Sequence, residues 1–416
     1  MATFLLRLPF ATKVEISWFD ALFTATSAFT VTGLMVENIS TTFTIFGQII
    51  ILLLIKIGGI GIITFAILAF MVLGKKIGFK ERLMIQQTLN QNSLGGIIKL
   101  IKSIFFFSIS IELLATIFLS IIWIPKFGFK RGLFYSFFHA VSAFNNAGIS
   151  LFTDGLSSYS ADIYIKLIIS TLFIIGGIGF TVLIDLKHKR RFKTLSLHSK
   201  IMIIGTITIN LIATILFFLL ERNNNATIGN SYFINQIFNS YFQATSSRTA
   251  GFGPINIDNF STPTIMLMLI LMFIGSGSAA TSGGIKLTTF IIIVLSSITF
   301  IRGKKQVTIA NRTINEKTII RSFTILSICF LLIITSLFIL SITEQLPATK
   351  LLFEVVSALS TVGLSMGITQ NLSYFGRSII MILMFFGKIG PLTLAFSLAT
   401  TTQDKISYPT EDILTG

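Results

Sequence analysis

The sequence predicts an all-α polytopic membrane protein made of four repeats, each a helix, a re-entrant loop and a second helix. Three observations predict it. First, 53% of the 416 residues are hydrophobic and only 12% are charged, and the mean hydropathy is +0.85. Second, long and nearly uncharged stretches recur, among them 163–184, 201–220 and 323–343. About 20 apolar residues in a row read as a bilayer-spanning helix. Third, a glycine-centred turn returns once per quarter of the chain: TVTGL at 30–34, NNAGI at 145–149, RTAGF at 248–252 and STVGL at 360–364.

The formal charge of +16 raises the question of an anionic partner such as nucleic acid. Its distribution gives a different answer. More than half of the 32 basic residues fall in three inter-helix segments, 74–102, 185–200 and 302–321. Short loops rich in Lys and Arg stay cytoplasmic, so the excess sets the orientation of the chain and implies no nucleic acid. The single cysteine, Cys329, lies in an apolar stretch, which excludes an intrachain disulfide. The three histidines, at 139, 188 and 198, are too scattered for metal chemistry. No cleavable signal peptide is legible, and residues 1–10 form a short apolar piece. No dinucleotide fingerprint or Walker lysine accompanies the glycine clusters, and no enzyme activity is expected.

The four turns set the repeat. Six positions before each glycine stands a small hydroxyl residue, Ser27, Ser142, Thr245 or Ser357; ten before stands an aromatic, Phe23, Phe138, Tyr241 or Phe353. About one helix length after each turn comes a second cluster: GGIG at 58–61, GGIG at 176–179, GSGS at 275–278 and GKIG at 387–390. The two GGIG clusters read as packing or bend sites. The segments before the turns, such as 17–29 and 133–144, are too short to span a bilayer and read as re-entrant. Non-helical backbone at membrane depth is tolerated only where it is buried or lines a water-filled cavity. Four such turns in register predict helix–pore loop–helix repeats with pseudo-fourfold symmetry around a central pore.

In order, 1–73 is repeat one, with its first helix largely missing, and 74–96 is a cytoplasmic connector whose part 80–92 is amphipathic. Repeat two is 97–184, a basic cytoplasmic loop is 185–200, and repeat three is 201–301 with an intramembrane loop at 275–284. A second basic loop is 302–320, repeat four is 321–402, and 403–416 is a cytoplasmic tail.

Rings of backbone carbonyls replace the hydration shell of an alkali cation, and helix C-termini aimed at the cavity favour a cation. The turns carry no ring of Asp or Glu, which argues against a divalent filter. The expected filter is Val31, Thr32 and Gly33; Asn146, Ala147 and Gly148; Thr249, Ala250 and Gly251; and Thr361, Val362 and Gly363. Ionisable residues inside apolar helices are functional suspects by default. Lys56 and Glu112 are two such residues, Lys56 serving either a functional or a structural pairing role. Lys388 is a third, expected just below the filter as an electrostatic barrier, with an ion pair to Glu112 as the competing reading.

The stretches SWFDALFTATSAFTVTGL, FFHAVSAFNNAGIS, QATSSRTAGF and SALSTVGLS resemble the pore loops of the Trk/Ktr/HKT potassium transporter superfamily. KKIGFKERLMIQQTLNQNSLGGIIKLIK and FGKIGPLT are similar to segments of the membrane subunit of its bacterial Ktr branch, and the resemblance runs from about Ser17 to Lys405. It implies potassium uptake, with potassium as the transported ion, sodium as a candidate activator and no covalent cofactor. It implies a multi-pass protein of the bacterial plasma membrane, a homodimer, and a KtrA-like cytosolic nucleotide-binding regulatory ring as partner. It also implies a gate in the loop Gly275, Ser276, Gly277, Ser278, Ala279, Ala280, Thr281, Ser282, Gly283 and Gly284, with Lys388 beside it. The family usually carries Arg where Lys388 stands, so the charge is kept and the guanidinium fork is not. Two alternatives are a secondary solute transporter with discontinuous helices, expected to show two related halves, and a membrane assembly subunit without transport.

Overall fold

Long apolar runs bounded by polar caps give the chain its helices, and helices account for nearly all of its regular structure. The computed structural model describes residues 1–61, 65, 97–189, 191–277, 280–281, 283–390 and 411. The connector expected at 74–96 and, Glu411 apart, the tail expected at 403–416 lie outside the described residues.

Four sets of helices follow one another. The first holds α1 (Ala2–Leu6), α2 (Trp18–Thr30), α3 (Ile39–Thr42) and α4 (Ile45–Ile60). The second holds α5 (Ile97–Phe127), α6 (Phe129–Phe144), α7 (Ile163–Ile178) and α8 (Phe180–His188). The third holds α9 (Leu197–Glu221), α10 (Phe233–Thr249), α11 (Thr262–Phe273) and α12 (Leu287–Ile301). The fourth holds α13 (Glu316–Thr343), α14 (Ala348–Ser360) and α15 (Tyr374–Ile389). A small antiparallel hairpin, β1 (Thr308–Ile309) with β2 (Arg312–Thr313), lies in the second basic loop.

Among the described residues, three unbroken helices are long and apolar enough to cross a membrane: Ile101–Phe127 within α5, α9 and α13. They are the first full-length helices of sets two, three and four. In set one the corresponding place is taken by the five residues of α1. More than half of the residues of each short helix before a turn, α2, α6, α10 and α14, are buried, and Phe23, Phe138, Phe242 and Phe353 on them are completely inaccessible.

Packing between the sets runs in a circle. The helix after the turn in each set packs on the short helix of the next: α4 on α6, α7 on α10, α11 on α14, and α15 back on α2. An ion pair helps close the circle, with Arg377 Nη1 of α15 at 2.7 Å from Asp20 Oδ1 of α2.

Three of the helices after the turns end at a glycine. Gly61, Gly179 and Gly390 end α4, α7 and α15 at φ/ψ near 94/137, 105/136 and 92/131. A residue with a Cβ meets steric conflict in that region, so one local requirement recurs three times. The stretch 163–184, read from sequence as continuous, is therefore two helices meeting at 91° at Gly179. Of the two GGIG clusters, expected as packing or bend sites, the one at 176–179 is a bend. In set three the interruption is longer: α11 stops at Phe273 and α12 starts at Leu287, as the run of small residues led us to expect.

Two glutamates fasten the outer ends of the third and fourth sets. Glu221, 1% exposed, accepts hydrogen bonds from the Ser261 N–H at 3.0 Å and the Ser261 hydroxyl at 2.7 Å, which start α11. It also accepts from the hydroxyls of Thr264 and Thr227 and the amide of Asn224. Glu344 does the same for α15 through the N–H and hydroxyl of Ser373. A buried donor left unpaired costs about 1–3 kcal/mol. Glu221→Ala, which orphans several, should lower the midpoint of thermal unfolding in detergent by several degrees, and Glu221→Gln should lower it less. Equal midpoints in the two variants would contradict this role.

Candidate functional site

Each short helix ends in a tight turn, and three of the four turns are built alike. The Thr32 N–H donates to the Ser27 carbonyl and the Val31 N–H to Ala28. Ala147 and Asn146 do the same to Ser142 and Ala143, and Val362 and Thr361 to Ser357 and Ala358. This is the Schellman pattern of helix ends, whose residue after the cap is left-handed and usually glycine. Here that residue is Val31, Asn146 or Thr361, at φ 58°, 59° and 51°. A β-branched residue in this conformation costs about 1–3 kcal/mol and persists only where its surroundings hold it.

The third turn departs from this pattern by one residue. Thr249 remains helical, and the bond to the Ser246 carbonyl comes from the Gly251 N–H. The Ser246 hydroxyl donates to Phe252 O at 2.6 Å, as Ser142 donates to Ile149 O at 2.7 Å. The sequence register assigns these places to Thr245 and Tyr241. The structure gives them to Ser246 and Phe242, because α10 runs one residue further before the chain turns. In the first and fourth turns the hydroxyl is an acceptor, with the Gly33 N–H 3.0 Å from Ser27 Oγ and the Gly363 N–H 3.1 Å from Ser357 Oγ.

The four glycines meet in cyclic order. A methyl group built on Gly33 would lie 2.3 Å from the Ala147 carbonyl oxygen, on Gly148 2.6 Å from Ala250 O, on Gly251 1.9 Å from Val362 O, and on Gly363 2.1 Å from Thr32 O. Each turn thus presents the carbonyl before its glycine to the glycine of a neighbouring turn. All four glycines have positive φ, from 65° to 98°. Three residues expected in the filter also use their side chains beneath it. Asn146 Nδ2 donates to Thr249 Oγ1 at 2.8 Å, the Thr281 hydroxyl donates to Asn146 Oδ1 at 2.8 Å, and the Gly283 N–H donates to Thr361 Oγ1 at 2.6 Å.

The loop between α11 and α12 therefore runs directly under the turns. The Gly277 N–H donates to the Gly177 carbonyl at 2.9 Å, and Leu287 folds back onto the Ser276 carbonyl at 2.9 Å. Gly283 lies against the Gly387 carbonyl and Gly284 against Ser360. Ser276 and Thr281 are fully buried, and Ala280 is half-buried. Of the expected gate residues, Ser278, Ala279 and Ser282 lie outside the described residues. Lys388 Nζ donates to the Thr281 carbonyl.

Two sequence readings are resolved by distance. Lys388 does not pair with Glu112. The partner of Glu112 is Lys56, whose ammonium lies 2.6 Å from both carboxylate oxygens and 2.5 Å from Ser108 Oγ. The pair also supports the second turn, since Asn145 Nδ2 donates to Glu112 Oε1 at 3.0 Å. Arg248, first residue of the third pentamer, was passed over in the sequence reading. It is 4% exposed, and its guanidinium donates to Asn210 Oδ1 at 3.0 Å and to the Gly275 carbonyl at 3.3 Å, anchoring the loop where it leaves α11. An arginine within an otherwise uncharged short helix was the available signal.

The family model described as TrkH, a cation transport protein, matches residues 3–408. The chain belongs to this family. Among curated relatives, the Ktr system potassium uptake protein B of Bacillus subtilis is 51% identical over 412 residues, covering 99% of this chain and 93% of the relative. The protein of the same description from Vibrio alginolyticus is 40% identical, with 99% and 91% covered. The potassium/sodium uptake protein NtpJ of Enterococcus hirae is 37% identical, with 99% and 93% covered. Among solved structures, the potassium transporter TrkH from Vibrio parahaemolyticus superposes with a TM-score of 0.71 at 19% identity, over 92% of this chain and 79% of that one. At that identity the likeness speaks for the fold, which is the all-α architecture read from the sequence.

Proposed function

We propose that this chain takes up potassium across the bacterial plasma membrane as a multi-pass transporter, and that the four glycine turns are its selectivity filter. The observation that carries the reading is the cyclic contact of the carbonyls of Thr32, Ala147, Ala250 and Val362 with the glycines of neighbouring turns. Four fixed carbonyl dipoles around one axis substitute for water around a potassium ion and leave no charged group in its path. The relatives described as potassium uptake proteins support the choice of ion. In this reading the four repeats are 1–73, 97–184, 201–301 and 321–402, and the loop 275–284, with Lys388, is the gate beneath the filter. The chain acts as a homodimer and is regulated by a KtrA-like nucleotide-binding ring on the basic cytoplasmic face. Sodium is an activator, in keeping with the relative described as a potassium/sodium uptake protein.

The test is growth of a potassium-uptake-deficient bacterial strain on limiting potassium, with this chain expressed alone and together with a KtrA-like subunit. Restored growth and rubidium uptake, larger with the subunit, are expected. Membrane expression without rubidium uptake in either case would reject transport and favour an assembly role.

A further inference from the structure

Behind two of the four turns lies a polar contact that the filter reading does not use. Glu354 stands nine residues before Gly363 on α14 and is completely buried. Its carboxylate accepts from the Ser365 hydroxyl at 2.7 Å and the Thr369 hydroxyl at 2.5 Å. Ser365 lies two residues after Gly363, and its Oγ in turn accepts the Gly367 N–H at 3.1 Å.

The second turn repeats the construction with different chemistry. His139 stands nine residues before Gly148 on α6 and is also completely buried. Its Nδ1 lies 2.8 Å from the Tyr135 carbonyl and its Nε2 3.0 Å from Ser150 Oγ. A carbonyl only accepts, so Nδ1 carries the hydrogen and Nε2 is the acceptor facing Ser150 and the Leu151 N–H. Ser150 lies two residues after Gly148, and its Oγ accepts the Phe152 N–H at 3.0 Å. The imidazole stacks on Phe152 with centroids 4.7 Å apart and meets the edge of Trp123 at 5.0 Å, which fixes its plane.

The other two turns lack this contact. Thr24 occupies the place nine residues before Gly33, and in the third turn the one-residue offset of α10 gives that place to Gln243, whose buried amide has no hydrogen-bond partner among the described residues; Met35 and Gly253 stand two after the glycine. Among the described residues, the Thr24 hydroxyl has no hydrogen-bond partner. The second and fourth turns stand opposite each other in the cyclic order, so the tie occurs on one diagonal of the ring and not on the other.

We infer that Glu354 and His139 are positioning residues for ion selectivity, each clamping the strand just beyond its filter glycine through Ser365 and Ser150. The inference rests on the filter reading and deepens it. The strands leaving Gly148 and Gly363 are not helical, so nothing in their own backbone holds the carbonyl ring to one diameter. A rigid anchor on the short helix does so from behind. The clamped diagonal defines the ring, and the unclamped diagonal closes against it.

The experiment compares rubidium with sodium uptake by the full chain in proteoliposomes, with thermal midpoint measured on the same preparations. Ser365→Ala and Glu354→Ala should each lower the rubidium-to-sodium ratio about tenfold, the effect of one buried hydrogen bond. Ser150→Ala should act in the same direction. Glu354→Gln keeps an acceptor oxygen for one hydroxyl and should recover most of the ratio. The serine variants remove one oxygen each and should leave the midpoint near that of the parent, which separates selectivity from folding. Gly363→Ser serves as the reference for the filter itself. An unchanged ratio in Ser365→Ala and Ser150→Ala, with Gly363→Ser altered, overturns the clamp alone. An unchanged ratio in Gly363→Ser as well overturns the filter reading with it.

Discussion

Gly251→Ala is expected to abolish potassium uptake at undiminished membrane abundance. The added methyl would sit 1.9 Å from the Val362 carbonyl oxygen and 3.0 Å from its carbon, which is backbone and cannot rotate away. The residue would also have to keep φ at 71°, a conformation costing a non-glycine residue about 1–2 kcal/mol before any clash. The ring answers by opening, and a ring of carbonyls too far apart no longer repays the ion for its lost water. A milder form of the same effect is expected at Gly33, where the contact is with the Ala147 carbonyl at 2.3 Å. Gly33→Ser should leave some flux and raise sodium relative to rubidium. Rubidium and sodium uptake into cells at matched abundance measure both. Unchanged selectivity in Gly33→Ser, Gly148→Ser and Gly251→Ser together would sink the carbonyl-ring account.

Lys388→Ala is expected to raise potassium flux, and Lys388→Arg to leave it near normal. The ammonium donates to the Thr281 carbonyl, so the side chain both places positive charge under the four turns and ties down the loop that lies there. A hydrogen bond from a charged donor contributes about 1.5–3 kcal/mol. Its loss would shift a closed-to-open balance roughly tenfold or more. Arginine keeps a charged donor within reach of the same carbonyl. Shortening 276–283 should also raise flux and weaken any control by a KtrA-like subunit, since it removes the bonds to Gly177, Asn146 and Thr361 that hold the loop under the turns. The measurement is initial rubidium uptake with and without the KtrA-like subunit. A fall in flux in Lys388→Ala, at equal abundance, would reject the barrier and make the lysine a structural tie.

Much of this site was legible because its requirements are local. A positive-φ backbone favours glycine, so Gly33, Gly148, Gly251 and Gly363 stand out in sequence, and so do Gly61, Gly179 and Gly390 at the ends of their helices. The run from Gly275 to Gly284 was legible for the same reason, since small residues in series do not sustain a spanning helix. The one-residue offset of α10 was not legible. Thr245 and Ser246 are both small hydroxyl residues, and Tyr241 and Phe242 are both aromatic, so either register satisfies the pattern. Only the length of the helix chooses between them.

The partners of the buried charges were a different matter. Lys56 and Glu112 were each suspects, but that they meet depends on α4 of one set lying beside α5 of the next. Lys388 reaches Thr281 only because α15 returns beneath a loop belonging to another set. His139 was dismissed with the scattered histidines, although Ser150, its partner, lies close by in sequence; the shared clamp emerges only when turns two and four are superposed. The sequence by itself determined the membrane class, the four turns and the glycines that end the helices, because hydropathy and backbone sterics act over a few residues at a time. The tertiary structure alone decided which carbonyl faces which glycine, which acid neutralises which base, and which loop closes under the ring. Those contacts join residues far apart along the chain, and their energy exists only once the circle of helices has closed.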